Sequence, residues 1–212
     1  MKAESSTPAP MVFHSIVRSV DGDDQSSIEI QKNDHLLQQQ LLHIDHPHAP
    51  VNFGVVDDHH KIFRSGFPNI TNLSFLKSLG IFSIIYLCPE PYPQENLDFI
   101  NANAIKLHQF GIQKAKDRNP CKDMQEERIR GALNVLIDPK NYPLLIHCKH
   151  GKHRTGCLVG CFRKVQRWGL CTIVAEYKKF AGNKSRLTDQ IFLEMFDTSG
   201  LALPVSFLEQ KS

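Results

Sequence analysis

Residues 147–156, with the sequence His-Cys-Lys-His-Gly-Lys-His-Arg-Thr-Gly, place a cysteine among several basic side chains. Cys148 and Arg154 are separated by five residues. A cysteine thiol has a pKa of about 8.5, and a helix N-terminus with nearby cations lowers that pKa and favours the nucleophilic thiolate. Such a thiolate can attack phosphorus in line, giving a phosphocysteine that water then hydrolyses. The segment therefore predicts an anion-binding loop with a nucleophile at its base.

Other side chains of the segment suit the same chemistry. The planar guanidinium of Arg154 can donate two parallel hydrogen bonds to the equatorial oxygens of a transferring phosphoryl group. We expect Thr155 to hydrogen-bond the cysteine sulfur and ease its departure in the second step. We expect His147 to order the loop from behind rather than to contact the substrate. Gly151 and Gly156 relieve backbone crowding where the chain turns.

The elements that must position this loop flank it directly. The run 142–146 is short and aliphatic enough to be a buried strand. Over 157–168, apolar residues recur at helical spacing, namely Leu158, Cys161, Phe162, Val165 and Trp168. A strand, a tight loop and a helix start direct the loop N–H groups and the positive end of the helix dipole toward one point.

Two other interpretations fit less of the segment. A cysteine that follows an apolar strand is usually buried and inert, and its spacing from an arginine can arise by chance. A chance match rarely brings the strand, the helix, two glycines and a Thr-Gly pair together. A nucleotide-binding Walker loop is excluded because His153 follows Gly151-Lys152 where Ser or Thr is required, and Ile146 stands where the leading glycine belongs.

The motif His-Cys-x5-Arg-Thr-Gly resembles the signature of the protein tyrosine phosphatase superfamily. Its basic variant here, continued through residues 151–160, is similar to the plant and fungal atypical dual-specificity phosphatases. The resemblance covers about residues 50–198 and includes the segments 52–56, 64–68, 87–93 and 110–112. It implies a phosphatase of inositol pyrophosphates with weaker activity on phosphoproteins and phosphoinositides. The chain departs from the family at His150, where arginine is usual, and in a longer, altered stretch at 114–123.

The resemblance also implies where the general acid and further substrate contacts lie. In the superfamily the loop after the strand predicted at 105–112 overhangs the phosphate-binding loop. Asp117 lies 31 residues before Cys148 and is the candidate general acid. Asp123 and Glu126 are its rivals, although both could instead favour the N-terminus of the next helix. Substrate contacts are expected from the same part of the chain, at Ile112, Lys114 and Lys116.

Positive charge is concentrated around the nucleophile. The substrate-binding candidates within the loop are Lys149, His150, Gly151, Lys152 and His153. Lys184 and Arg186, like Lys114 and Lys116, lie on predicted loops that could surround the same opening. One phosphomonoester needs only the loop N–H groups and Arg154, so the additional cations suit a substrate with several phosphates. Polyphosphorylated inositol fits that requirement.

Two classes of function stay open. The first is a phosphatase that uses phosphocysteine and needs neither metal nor cofactor, acting on inositol pyrophosphates. Within that class, the alternative is a protein tyrosine, dual-specificity or phosphoinositide phosphatase with the same residues. The second class is a phosphate-binding module without catalysis, which the presence of both Cys148 and Arg154 disfavours.

Composition narrows the remaining possibilities. The chain of 212 residues is long enough to bury a full core, and it has neither a run of 18 apolar residues nor a secretory signal pattern. The six cysteines lack the paired short spacings of a disulfide framework or a zinc site, so we expect a reducing compartment, the cytoplasm with the nucleus as a second location. The net charge of +3 is too small to predict nucleic-acid binding. Solvated or capping roles are favoured over metal ligation for the histidines at positions 43, 46, 48, 59 and 60.

The order of the elements predicts an α/β fold. We expect a flexible leader over 1–48, one phosphatase domain over 49–199 and a C-terminal tail over 200–212. Strands are predicted at 52–56, 62–64, 81–88, 105–112 and 142–146. Helices are predicted at 72–79, 95–104, 123–138, 157–168, 172–180 and 188–196. Alternating helices and strands imply a mostly parallel sheet of about four to five strands with helices on both faces.

Parallel strands bring a second cysteine near the nucleophile. Cys88 ends the predicted strand 81–88, and Cys148 follows the predicted strand 142–146. Both could therefore open onto the edge of the sheet at which ligands of such folds bind. We hypothesise that Cys88 traps oxidised Cys148 as a disulfide. The alternative is a buried thiol at the end of a strand. Cys157 and Cys161 lie on one helical face, where they are expected to pack as small apolar side chains.

Overall fold

A single sheet underlies the loop that carries the cysteine. The computed structural model describes residues 48–113, 126–204 and 207, and within these ranges five strands form a sheet in the order β1-β2-β5-β3-β4. β1 pairs antiparallel with β2, and all other neighbouring strands are parallel. The strands are β1 (Gly54–Asp57), β2 (Ile62–Ser65), β3 (Ser83–Tyr86), β4 (Lys106–Gln109) and β5 (Leu144–His147). The predicted α/β class and the mostly parallel sheet are confirmed.

Six α-helices are present in the described residues. They are α1 (Leu73–Ser78), α2 (Gln94–Ala102), α3 (Glu126–Ile137), α4 (His153–Val165), α5 (Leu170–Ala181) and α6 (Leu187–Met195). Each corresponds to a helix predicted from periodicity. The main difference is at α4, which begins at His153 rather than at 157. Arg154 therefore lies inside the helix, and the predicted phosphate-binding loop, residues 148–154, runs into its first turn.

The three central strands β2, β5 and β3 are buried at every position. A strand buried on both faces needs a continuous apolar run rather than an alternating one, and Leu144-Leu145-Ile146 in β5 is such a run. α4 packs against α3, α5 and α6, and its Cys157 and Cys161 are fully buried, as predicted. The loop after β5 is thus held between the centre of the sheet and a buried helix.

The core extends beyond the last helix. Phe207 is 7% exposed, and its ring stacks on the His60 ring with the centroids 3.8 Å apart. Leu201 and Leu203 also pack against the core. Of the predicted segments, residues 1–47 of the leader, residues 114–125 and most of 205–212 lie outside the described residues. Within the described part of the chain, none of the helices has the length and apolar composition needed to cross a bilayer.

Candidate active site

Cys148 lies at the carboxyl end of β5, the edge at which parallel α/β sheets bind ligands. Its side chain is 5% exposed. Four residues separate it from the start of α4, whose first N–H groups have no partner within the helix. The cysteine sulfur, the loop amides and the helix N-terminus are therefore contiguous along a chain of a few residues. This arrangement favours the binding of an oxyanion beside Cys148.

Three consecutive carbonyl oxygens of the loop are each held by a donor from outside it. The pairs are Phe67 N to Lys149 O (3.2 Å), Asn52 Nδ2 to His150 O (2.7 Å) and Arg64 Nη2 to Gly151 O (3.0 Å). In a planar trans peptide the C=O and the following N–H point in opposite directions. Because these carbonyls face their donors, the N–H groups of residues 150, 151 and 152 point the other way. The loop therefore presents a row of amide donors on the side opposite Arg64 and Phe67.

Arg64 is fully buried below this loop. Its guanidinium carbon lies 3.6 Å from the centroid of the Phe180 ring, and its Nη2 reaches Gly151 O. Burial lowers the pKa of Arg64 to about 10, which the charges of Glu176 and Cys148 oppose. Even at that value the side chain is a cation at neutral pH. Arg64 is thus a buried positive charge beneath the phosphate-binding loop.

The turn of the loop requires glycine at position 151. Gly151 has a φ of 67°, in the left-handed region. A Cβ built there would lie 2.5 Å from both Gly66 N and the carbonyl carbon of Ser65. The end of β2 and the phosphate-binding loop can approach this closely only because neither Gly66 nor Gly151 has a side chain. The prediction of a crowding role for Gly151 agrees with this geometry.

His147 is packed among aromatic side chains directly before Cys148, which is consistent with the predicted role of ordering the loop. It is the last residue of β5 and is fully buried, and its Nε2 lies 3.1 Å from Tyr92 Oη. Its ring stacks on Tyr86 and meets Phe67 edge to face. Burial lowers the pKa of His147 to about 3, so the ring is neutral at physiological pH. The residue before the nucleophile is therefore a fixed, uncharged support.

Two buried polar atoms of the loop lack a hydrogen-bond partner among the residues that the structure describes. Arg154 Nη1 and Thr155 Oγ1 are both buried without a hydrogen bond to any residue that the structure describes. An unsatisfied buried donor carries a desolvation cost of about 1–3 kcal/mol, which a bound oxyanion at Arg154 would remove. Thr155 Oγ1 makes no hydrogen bond to the Cys148 sulfur in this structure, so the predicted contact stays a prediction.

A second basic segment is tied to the loop. His153 Nε2 donates to Lys184 O at 2.6 Å. The buried Tyr177 hydroxyl accepts a hydrogen bond from Arg186 N at 3.1 Å and donates to Asp189 Oδ2 at 2.6 Å. Lys184 and Arg186 themselves are exposed. The backbone of Lys184 is thus attached to the first turn of α4 and that of Arg186 to α5, while the position of the two side chains at the opening stays a prediction.

Cys88 lies next to the nucleophile's loop. β3 and β5 pair in parallel with Tyr86 opposite His147, and Leu87 N donates to His147 O at 3.0 Å. Cys88 is 2% exposed and is a free thiol, as is Cys148. The pKa of Cys88 is raised, mainly by burial and to a smaller extent by negative charge on Cys148. The positive charge of Arg154 opposes this shift. Both cysteines therefore open onto one edge of the sheet, and their oxidation to a disulfide stays a hypothesis.

The other predicted residues have different positions. Ile112 is fully buried and its N–H donates to Leu87 O at 2.9 Å, so its side chain packs in the core instead of facing a substrate. Glu126 forms an ion pair with Arg130 at 3.1 Å on the first turn of α3. Lys149 and His150 are exposed, whereas Lys152 and His153 are half-buried. Lys114, Lys116, Asp117 and Asp123 lie outside the described residues.

Metal ligation receives no support from the described histidines. His60 is buried against Asp57, with its Nδ1 3.1 Å from Asp57 Oδ1. Its backbone N–H also bonds Asp57 Oδ1 at 2.8 Å, which closes the turn between β1 and β2. Within residues 48–113 and 126–204, no group of three or more His, Cys, Asp or Glu side chains is placed to hold a metal ion.

Sequence reasoning did not assign a role to Asn52 or Arg64. Both lie in segments on which the family resemblance rests. Each is too far along the chain from the loop for sequence spacing to predict a contact. Asn52 is 98 positions and Arg64 is 87 positions from its loop partner. One local signal was present, since a charged residue inside an apolar strand such as Ile62-Phe63-Arg64 is unusual unless its charge is paired.

The sequence of this chain is similar to those of known proteins. The sequence profile described as "Tyrosine phosphatase family" matches residues 48–204. The chain is 57% identical over 152 residues to inositol diphosphatase DSP2 of Oryza sativa subsp. japonica, covering 72% of each chain. It is 48% identical over 191 residues to inositol diphosphatase DSP2 of Arabidopsis thaliana, covering 74% of each.

A solved structure of a similar protein has a similar fold. The catalytic core of the inositol pyrophosphate phosphatase SIW14 from S. cerevisiae, crystallised with citrate, superposes with a TM-score of 0.66 at 44% identity. The match covers 72% of this chain and 89% of that one. The resemblance to plant and fungal atypical dual-specificity phosphatases is confirmed.

Proposed function

The chain belongs to the tyrosine phosphatase family, and from that premise we propose that it removes the β-phosphate of inositol pyrophosphates through a phosphocysteine at Cys148. The single observation that supports this most directly is the construction of the loop. Three of its carbonyls are held from outside, so that consecutive N–H groups face the opposite side next to Cys148. Its relatives in rice and Arabidopsis are named inositol diphosphatases, which is consistent with the proposal.

The proposed reaction has two steps at one sulfur. The Cys148 thiolate attacks the β-phosphorus, an S–P bond forms, and the P–O bond to the α-phosphate breaks. The departing group is the inositol polyphosphate. Water then attacks the phosphocysteine, the S–P bond breaks, and inorganic phosphate leaves with the thiolate restored. The guanidinium of Arg154 and the loop amides stabilise the equatorial oxygens in both transition states.

A second group of cations supports a substrate with several phosphates. A phosphomonoester occupies only the loop amides and Arg154, which leaves Lys149, Lys152, Lys184 and Arg186 for other phosphates. The backbone of Lys184 is tied to α4 through His153, and that of Arg186 is tied to α5 through Tyr177, so both cations are presented on an anchored backbone. In this proposal His150 and Gly151 contribute backbone amides, and His153 acts by holding the segment of Lys184. Lys114 and Lys116 are proposed to complete the ring of cations.

The general acid is proposed to be Asp117, with Asp123 as the alternative. Glu126 is a weaker candidate because its carboxylate is engaged with Arg130 on α3. An acid matters most when the leaving group is a poor one such as an alkoxide, and a phosphate leaving group departs readily without it. Phosphoproteins and phosphoinositides are proposed as secondary substrates, and the cytoplasm and nucleus as the locations.

The decisive assay measures phosphate release from a diphosphoinositol polyphosphate in the presence of EDTA. We expect turnover by the wild type and a loss of at least about a thousandfold in Cys148→Ser, because the nucleophile is removed. Cys171→Ser is the matched control, since Cys171 is an exposed free cysteine on α5. Turnover that EDTA abolishes, or that survives in Cys148→Ser, would contradict the proposal.

Substrate class is tested by comparing two substrates in one variant. Lys184→Ala should raise KM for the diphosphoinositol polyphosphate by about tenfold, the value of one charged hydrogen bond, and leave KM for a phosphotyrosine peptide unchanged. Lys140→Ala is the control, because Lys140 is exposed and precedes β5 at the opposite end of the sheet. An equal change for both substrates would exclude Lys184 from polyphosphate binding.

A further inference from the structure

We propose that Asn52 and Arg64 are positioning residues for phosphoryl transfer, acting through the carbonyl oxygens of the phosphate-binding loop. Neither needs to touch the substrate in order to act. Each donates to one loop carbonyl and so fixes the direction of the N–H group that follows it. The inference rests on the proposed reaction at Cys148 and adds two residues to its machinery.

The conformation of Asn52 fits this role. Its φ is 55°, in the left-handed region that asparagine tolerates better than most residues. In that conformation Nδ2 reaches His150 O at 2.7 Å, the shortest of the three contacts that hold the loop carbonyls. The contact joins the segment before β1 to the middle of the loop. An asparagine that served only the turn would not need a donor at this distance from a carbonyl 98 positions away.

The burial of Arg64 needs a reason as well. A guanidinium taken out of water loses hydration that only good partners restore. Arg64 is fully buried on β2, and its Nε and Nη1 have no hydrogen-bond partner among the described residues. An apolar side chain would fill the space above Phe180 without that desolvation. What it could not provide is the Nη2 donor to Gly151 O at 3.0 Å.

The two donors act on adjacent peptide groups. Asn52 holds the carbonyl of His150 and therefore orients the N–H of Gly151. Arg64 holds the carbonyl of Gly151 and therefore orients the N–H of Lys152. Gly151 is the residue with the greatest conformational freedom in the loop. Both of its flanking peptide groups would be free to rotate without these contacts, and preorganised donors are what stabilise a developing oxyanion.

Asn52→Gly tests the proposal with little risk of unfolding. Glycine adopts the left-handed conformation readily, so relief of backbone strain offsets the lost hydrogen bond and the melting temperature should stay within about 4 °C of the wild type. We expect kcat to fall about tenfold with KM changed less than about twofold, because the amide is needed most in the transition state. Inhibition by orthovanadate, which imitates that state, should weaken by a similar factor.

Ala104→Gly is the matched control for this substitution. Ala104 also has a left-handed φ, of 52°, and is exposed before β4 at the opposite end of the sheet. It should retain the kcat and the vanadate inhibition of the wild type. If Asn52→Gly also retains both, or if Ala104→Gly loses them equally, Asn52 is not a positioning residue.

Arg163 offers a matched control for Arg64. Arg163 is also buried and lies in the last turn of α4. Its Nη2 donates to Val56 O at 2.8 Å, its Nε pairs with Glu176 Oε2 at 2.9 Å, and its guanidinium carbon lies 4.1 Å from the centroid of the Trp168 ring. Arg64→Lys should lower kcat by about tenfold to a hundredfold and weaken vanadate inhibition in parallel, because a strongly hydrated ammonium on a flexible stem does not stack on Phe180 as the guanidinium does and so does not hold one donor on Gly151 O. Arg163→Lys should cost stability without that loss of activity.

The readouts separate failure of the inference from failure of the proposed function. An inactive wild type would mean that the proposed reaction is wrong. An active wild type with normal kcat and vanadate inhibition in folded Arg64→Lys and Asn52→Gly would overturn the inference alone. Equal losses in Arg64→Lys and Arg163→Lys would assign Arg64 to stability. Should Arg64→Lys fail to fold, Asn52→Gly decides the question by itself.

Discussion

The substitution Gly151→Ala should displace the loop and lower both stability and kcat, and the structure gives the size of the displacement. The added Cβ would meet Gly66 N and the Ser65 carbonyl carbon at 2.5 Å, and both are backbone atoms that no rotamer change can move. Ordinary contact begins at 3.4 Å, so the loop must shift by about 0.9 Å. The left-handed φ of 67° adds strain of about 1–2 kcal/mol for a residue with a side chain.

Together these effects predict both a stability and an activity change. Overpacking of about 1–3 kcal/mol added to the backbone strain gives about 2–5 kcal/mol, or a melting temperature lower by roughly 4–20 °C. A displacement near 1 Å of aligned donors should lower kcat by about a hundredfold. Thermal unfolding followed by circular dichroism and steady-state phosphate release would measure the two changes on one preparation.

Gly80→Ala isolates the steric part of this prediction. Gly80 has a similar φ of 64°, but no atom lies within 4 Å of the position that an added Cβ would occupy. It should lose only the strain of about 1–2 kcal/mol and keep full activity. If Gly151→Ala matches Gly80→Ala in melting temperature and retains the kcat of the wild type, the close approach of Gly66 and Gly151 does not constrain the loop.

Three further predictions concern side chains around the nucleophile. Asp117→Asn should slow hydrolysis of aryl or alkyl phosphates more than that of pyrophosphates, and equal losses in a kinetic comparison would remove Asp117 as the general acid. Mild peroxide should convert the Cys148 thiolate to a sulfenic acid that condenses with the Cys88 thiol to a disulfide, releasing water. Peptide mapping by mass spectrometry should find a cross-link between Cys88 and Cys148 and none to Cys171. If the cross-link between Cys88 and Cys148 is not found, the redox pairing is refuted. Because burial lowers the pKa of His147 from 6.5 to about 3, its contribution to stability is complete above pH 6.5 and is lost as the pH falls toward 3. The free energy of unfolding in urea should therefore fall by up to about 1.4 kcal/mol per pH unit more in the wild type than in His147→Gln, and parallel curves would contradict the assignment.

Local pattern was sufficient for the elements that flank the nucleophile. Burial of an aliphatic run is strongly favoured, and in β5 this run is followed directly by the loop that carries Cys148. The start of α4 was misplaced because Lys152, its N-cap, makes no side-chain capping hydrogen bond. A helix that begins without a capping residue has no local signal for its first turn. Ile112 was placed at the substrate for a similar reason, since its burial depends on packing that the segment 110–112 does not reveal.

The amino-acid sequence by itself determined the order of strand, loop and helix and predicted the nucleophile and the arginine, because each depends on residues within a few positions of one another. Only the tertiary structure decided which residues hold the loop. The parallel register of β2 and β5, with Arg64 opposite Ile146 and Ser65 opposite His147, brings Gly66 against Gly151. That register arises from the packing of the whole sheet. The orientation of the loop amides, and with it the proposed binding of a phosphoryl group, is therefore set by contacts nearly one hundred positions apart, such as the 98 that separate Asn52 from His150.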